Sequence, residues 1–233
     1  MKRQTKEKSE QEFQDRVTTL NNQIYSSLES QLGDLMMPQR EVIVDRSITP
    51  KLATIIDSFD KNRGCLILVN PISDSLEEME DYQIFQRMNP SSTPNDFLKS
   101  MLAHEYGHLI ECGEQPSNRE NYHLPPRINT PKSIETTLIL ISEAFAFWFA
   151  DTFTGFKTFS QEVLETYTSE LSDPNNVRRY LSLIDNSEAL EKQFLEQELK
   201  CQRLIKNLYD NYSSMDPLYV VKNRKKIVEG LLR

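Results

Sequence analysis

The chain is poor in the residues that staple a fold. Its 233 residues include three cysteines, Cys65, Cys112 and Cys201. They are odd in number and scattered, which excludes a disulfide framework and fits reduced thiols that serve as packing residues in a cytoplasmic protein. Apolar runs are short. No hydrophobic segment follows the charged opening "MKRQTKEKSE", so no secretory signal peptide is expected, and the greasiest stretch, Leu138 to Ala150, is too short and too polar at its centre to span a membrane. Positive charge is also in deficit, with 27 Lys and Arg against 35 Asp and Glu, a formal charge of -8. Apart from "KNRKK" at 222–226 no basic stripe breaks that field, so neither nucleic acid nor a membrane is an expected partner. There is no internal repeat and no low-complexity tract. What remains is a globular composition, 38% apolar and 27% charged, long enough to bury a core.

Periodicity organises this chain into helices with a little strand between them. From Gln11 to Leu32 apolar residues recur every three to four positions (Phe13, Val17, Leu20, Ile24, Leu28, Leu32), the period of an amphipathic helix that Gly33 ends. The first ten residues read as a frayed start. "EVIVDR" (41–46) and "CLILVN" (65–70) are short β-rich runs, and "PKLATIIDSF" between them fits a short helix. An acidic surface helix over 74–88 stops at Asn89-Pro90. Further helices are expected near 94–112, 131–153, 160–171, 175–184, 187–212 and 216–232. The expected class is α+β: a small β-sheet in the first half and a mostly helical second half. Three parts follow, an N-terminal helix at 1–35, a core at 36–155 and a helical C-terminal extension at 156–233.

The chemistry begins with the scarcest ionisable residue. Of only three histidines, two stand four apart around a glutamate in "KSMLAHEYGHLIECG". Thr93-Pro94 with Asp96 supplies a helix start and Gly113 an end, so His104 and His108 lie inside one helix. At about 100° per residue His108 falls roughly 40° from His104 and about 6 Å along the axis, so both imidazoles leave the same face and can share one ion. Zinc takes such nitrogens at about 2.0–2.1 Å. Glu105 projects roughly 60° to the side of His108, placed to take a proton from a water on the ion rather than to be a ligand. Gly107, on the other flank, leaves room for a neighbouring element.

A catalytic zinc needs a third protein ligand. Glu143 is one candidate: in "LILISEAFAFWFAD" only Ser142 and Glu143 interrupt the apolar run, and a carboxylate inside such a helix demands a proton or a cation. His123, in the Pro-rich loop "QPSNRENYHLPPRINTP", is the other. His123 or Tyr122 could equally donate a hydrogen bond to the oxyanion of a tetrahedral intermediate. Glu111 and Cys112, past His108 on one rigid helix, are discounted on geometry; Glu114 is discounted because the glycine turn of the HExxH families that place a distant ligand there is out of place here.

"HEYGH" followed 35 residues later by a glutamate on a helix resembles the gluzincin metallopeptidases. The order "CLILVN", "LAHEYGH", "EAFAFWFA" over residues 41–151 is similar to the ImmA/IrrE-like peptidases and the minimal gluzincins. The resemblance implies a zincin-like fold, with the sheet packed on an active-site helix and a glutamate helix. It implies His104, His108 and Glu143 as Zn2+ ligands, Glu105 as general base, and "CLILVN" as an edge strand that pairs with an extended peptide or protein substrate. The chain departs from thermolysin-like members at Phe147, where they carry an Asp that orients a zinc His; Asp151 is a possible replacement. A zinc endopeptidase is the expected function. The alternative is a zinc-binding helical interaction or regulatory protein that keeps the frame without turnover.

Overall fold

A computed structural model describes residues 2–44, 53–57, 65–69, 76–112, 131–165 and 202–232. Helix α1 spans Lys2–Leu32, so it starts well before Gln11 and takes in the stretch expected to fray. It buries Val17, Leu20, Ile24, Leu28 and Leu32, the face that its period marks out, and Gly33 ends it with φ +54, a conformation that favours glycine. A 3-10 turn, Gly33–Leu35, follows. Strands β1 (Val42–Val44), β2 (Ala53–Asp57) and β3 (Cys65–Val69) come next. After them come a 3-10 turn at Leu76–Glu78, α2 (Glu80–Met88), α3 (Pro94–Cys112) and α4 (Pro131–Thr154). Residues 161–165 and 202–213 are helical, and α5 spans Pro217–Leu232. Asp216 Oδ1 caps α5 by accepting from Tyr219 N at 2.9 Å.

The expected fold class is corrected by this architecture. Among residues whose side chains are described, 80% are helical and Val42–Val44 is the one complete strand, so the protein is mainly α-helical and not an α+β zincin-like fold built on a sheet. The reason lies in where the apolar residues sit. The core is filled by helical faces of 3.6-residue period, whereas the β-branched runs are three to five residues long and support only a minimal pairing. "PKLATIIDSF" is a second correction: its centre is strand β2 and not a helix. Pairing Ala53–Asp57 antiparallel with β3 uses the β preference of Thr54, Ile55 and Ile56, which outweighs a short helix with no partner face. The third concerns "CLILVN". The strand order is β1-β3-β2, with β1 parallel to β3, so this segment is central, its hydrogen bonds are taken on both sides, and it cannot receive a substrate strand.

The chain divides into two compact units, Met1–Arg119 with Phe149–Thr158, and Glu120–Trp148 with Phe159–Arg233. In the first, α1 packs on α3 and β1, α2 packs on α3, and β2 lies against α3. Phe97 meets Tyr82 and Phe85 at ring distances of 5.6 and 5.3 Å. The helix read as an acidic surface element thus has a buried face of Tyr82, Ile84 and Phe85. Asn89 closes α2 by donating to Phe85 O at 2.9 Å, and exchanges bonds with Lys157, giving to its O at 2.8 Å and accepting from its N at 2.9 Å. The second unit has an aromatic core in which Phe145, Trp148 and Tyr212 stand 5.4 to 5.7 Å apart by ring centroid. The expected helix at 175–184, half of that at 160–171, most of that at 187–212, and Cys201 lie outside the described residues. No helix among the described residues is long and apolar enough to cross a membrane.

Candidate metal centre

The frame begins at the start of α3. Thr93 N and Oγ1 both donate to Asp96 Oδ2, at 2.9 and 2.7 Å, and Asp96 N donates back to Thr93 Oγ1 at 3.3 Å. This is the reciprocal cap that the sequence signals, with Pro94 in the first helical turn, where its missing N–H costs nothing. Gly113, expected beyond the far end, is outside the described residues. Between these limits α3 runs for 19 residues, which fixes the rotation of every side chain in the "HEYGH" frame.

Tyr106 sets which way the frame faces. It lies about 160° round the helix from both histidines, is fully buried, donates to Asn21 Oδ1 of α1 at 3.1 Å and accepts from Arg40 N at 3.3 Å. Its ring also meets Tyr25 at 5.9 Å. Burial pushes its hydroxyl up to about 12, so it is a neutral donor over the whole physiological range. With its back clamped in this way, α3 turns His104 and His108 to the opposite side. The sequence alone assigns Tyr106 no role. The available signal was a large polar-tipped aromatic on the far face of a helix that already had its functional face.

On that face the two imidazoles stand edge to face, planes at 85° and centroids 4.7 Å apart. Their Nε2 atoms are 3.1 Å from each other. Two ligands at about 2.05 Å in a tetrahedral arrangement lie roughly 3.3 Å apart, so this separation fits a shared ion as well as a single N–H···N bond. Glu143, in α4, is 8% exposed and His104 is likewise 8% exposed. Each of His104, His108 and Glu143 offers a ligand atom, and these atoms all lie within 4.8 Å of one another. The widest gap that this allows exceeds the tetrahedral spacing by about 1.5 Å, a distance that a carboxylate rotation closes. Two imidazoles and one carboxylate are a donor set found in catalytic zinc sites. The residues present therefore fit the ion.

Glu105 is 5% exposed and is not one of the grouped ligand atoms. Glu111 is buried at 3% exposure and is also outside the group. Tyr122 and His123, together with Glu114, lie outside the described residues, as does the side chain of Cys112. Phe147 packs on Phe159 at 5.5 Å, which accounts for an aromatic where thermolysin-like enzymes carry an Asp. Asp151 Oδ1 accepts from Thr158 N at 2.6 Å and from the Thr158 hydroxyl, so that oxygen ties down the turn after α4. In comparisons with known proteins, no family model, curated protein or solved structure matches the chain.

Proposed function

We propose that this protein is a zinc-dependent peptidase that cleaves peptide or protein substrates in the cytoplasm. The single observation behind the reading is the grouping of His104, His108 and Glu143 within 4.8 Å, with the buried Glu105 next to His104 in the same helix. The ligand set and the interposed glutamate are those of the gluzincin metallopeptidases, a likeness of motif and not of fold.

Zinc, when bound there, supplies Lewis-acid polarisation of an amide carbonyl and lowers the pKa of a water to about 7. His104 and His108 would hold the ion through ring nitrogens and Glu143 through its carboxylate, which would also offset part of its charge. The Glu105 carboxylate takes the proton of the attacking water and hands it to the departing amine. Its burial keeps bulk water from competing for that proton. Tyr122 or His123 is proposed as the donor that steadies the developing oxyanion. The cytoplasmic assignment is supported by the odd, scattered cysteines.

Glu105→Gln tests the reading. The variant keeps the three ligands, so zinc content is unchanged, while peptide cleavage falls by about 10²–10⁴-fold, the usual contribution of a positioned acid-base group. If the zinc-loaded wild type cuts nothing in a broad peptide library, the hydrolase reading fails. The chain is then a zinc-binding interaction protein.

A further inference from the structure

The large apolar side chains that stay exposed among the described residues, Leu218, Tyr219 and Leu231, all belong to α5. Val220, Val221 and Val228 of the same helix are buried, which fixes its rotation and decides what the opposite side shows. At about 100° per residue, Lys225, Leu218, Lys222, Lys226 and Tyr219 follow one another round an arc of roughly 120° on that side. Leu231 falls outside the arc. Lys222 and Lys226 are exposed and Lys225 is half-buried. Glu229 is the one acid of α5 within the arc, so the strip keeps an excess of positive charge.

None of the three lysines pairs with an acid among the described residues, whereas Lys206, in the helical stretch before α5, is neutralised by Asp210. The charge of the strip selects an anion, and Leu218 with Tyr219 at its N-terminal end selects one that also carries an apolar group. From Leu218 to Lys226 the helix rises roughly 12 Å, the span of about four residues of extended chain. A membrane surface needs an apolar helix face to bury, and that of α5 is already in the core. Nucleic acid spreads its charge over a far greater length and so meets the formal charge of -8 carried by the whole chain. Arg224, the residue best suited to grip a phosphate, lies on the core side and donates to Val221 O. A short acidic segment feels the local strip alone, since charges beyond about 8 Å are screened at physiological salt.

We infer that this face of α5 docks a short acidic segment of a partner protein, with its carboxylates on Lys222, Lys225 and Lys226 and an apolar side chain against Leu218 and Tyr219. Neither the metal nor the histidines take part, so the inference stands apart from the peptidase reading.

Titration of the full-length protein by ¹H–¹⁵N NMR tests it. The probe is the acetylated peptide amide Glu-Glu-Leu-Phe-Glu-Glu, and the controls are Gln-Gln-Leu-Phe-Gln-Gln and Glu-Glu-Ala-Ala-Glu-Glu. Saturable shifts are expected at the amides of 218–226, with affinity falling at least about tenfold between about 0.05 M and about 0.5 M salt. Lys222→Glu combined with Lys226→Glu, both exposed and clear of the core, lowers it by at least about tenfold. Tyr219→Ala and the alanine control each weaken binding severalfold. No saturable shift, equal binding of the glutamine control, or undiminished affinity in the double variant overturns the assignment. A stronger response of the same amides to phosphatidylserine-containing vesicles or to a DNA oligonucleotide also overturns it, marking a membrane or nucleic-acid face. Shifts that follow protein concentration alone overturn it too, and mark a contact between copies of this chain.

Discussion

Helices α3 and α4 supply the two halves of the candidate centre, and they are held in opposite ways. Helix α3 is pinned by polar bonds at defined atoms: a reciprocal cap at Thr93 and Asp96, and Tyr106 bonded to Asn21 and Arg40. From Leu140 to Ala150, α4 is held by packing, with Ile141, Ala144, Phe145, Ala146, Phe149 and Ala150 fully buried and Gly155 ending the helix at φ +75. Polar pins fix rotation about the axis and so aim two imidazoles at one point. Packing shields the Glu143 carboxylate from water, which strengthens its attraction for a cation. A metal centre needs both properties, and each helix supplies one.

The sharpest way to break this comparison is to remove a ligand from each helix in turn. His104→Ala and Glu143→Ala are each expected to weaken zinc by more than the ~10–100-fold typical of losing a residue that merely supports a ligand. Competition with a chelator measures it, with circular dichroism to verify folding. A loss confined to α3 would mean that α4 plays no part in binding. Next in size is Phe145→Ala, which opens the aromatic core shared with Trp148 and Tyr212 and is expected to cost about 3–5 kcal/mol in denaturant unfolding. A cost near that of a surface change would show that packing does not hold α4.

Tyr106→Phe removes one pin from α3. It leaves the buried Asn21 without its donor and is expected to cost about 1–3 kcal/mol. It also carries a pH signature. Burial raises the Tyr106 hydroxyl from 10.0 to about 12, so the folded state favours the protonated phenol. That contribution is whole below pH 10 and is lost as pH rises towards about 12, where the folded form ionises too. Its size is on the order of 2 kcal/mol. Wild type should therefore lose more stability than Tyr106→Phe between these two values, as unfolding curves at stepped pH will measure. Smallest is Thr93→Ala, which removes the cap oxygen and is expected to cost about 1 kcal/mol.

How much of this was readable in the sequence follows the same divide. Helix α3 was legible to the residue, because Thr93, Pro94 and Asp96 act within one turn of each other. Helix α4 was nearly so, since Pro131 opens it and its long apolar run, interrupted only at Ser142 and Glu143, leaves no other element to choose. His104, His108 and Glu143 were legible as candidates, because scarce donors in a fixed spacing and a carboxylate in a greasy helix are both local facts. What failed depended on partners distant in the chain. Ala53–Asp57 becomes a strand only because Cys65–Val69 is there to pair with it. The central place of β3 is a property of strand order, which no single segment encodes. The fold class was misjudged for the same reason, since two visible β-rich runs say nothing about how little of the core they fill. Tyr106 went unnoticed because its partners, Asn21 and Arg40, stand 85 and 66 residues away.

X-ray absorption at the zinc edge of the zinc-loaded protein tests the central claim most directly. The account predicts two imidazole nitrogens and at least one carboxylate oxygen at about 2.0–2.2 Å, with the oxygen shell diminished in Glu143→Ala. Three imidazoles, a sulfur at about 2.3 Å, or a spectrum unchanged by the loss of Glu143 would contradict it.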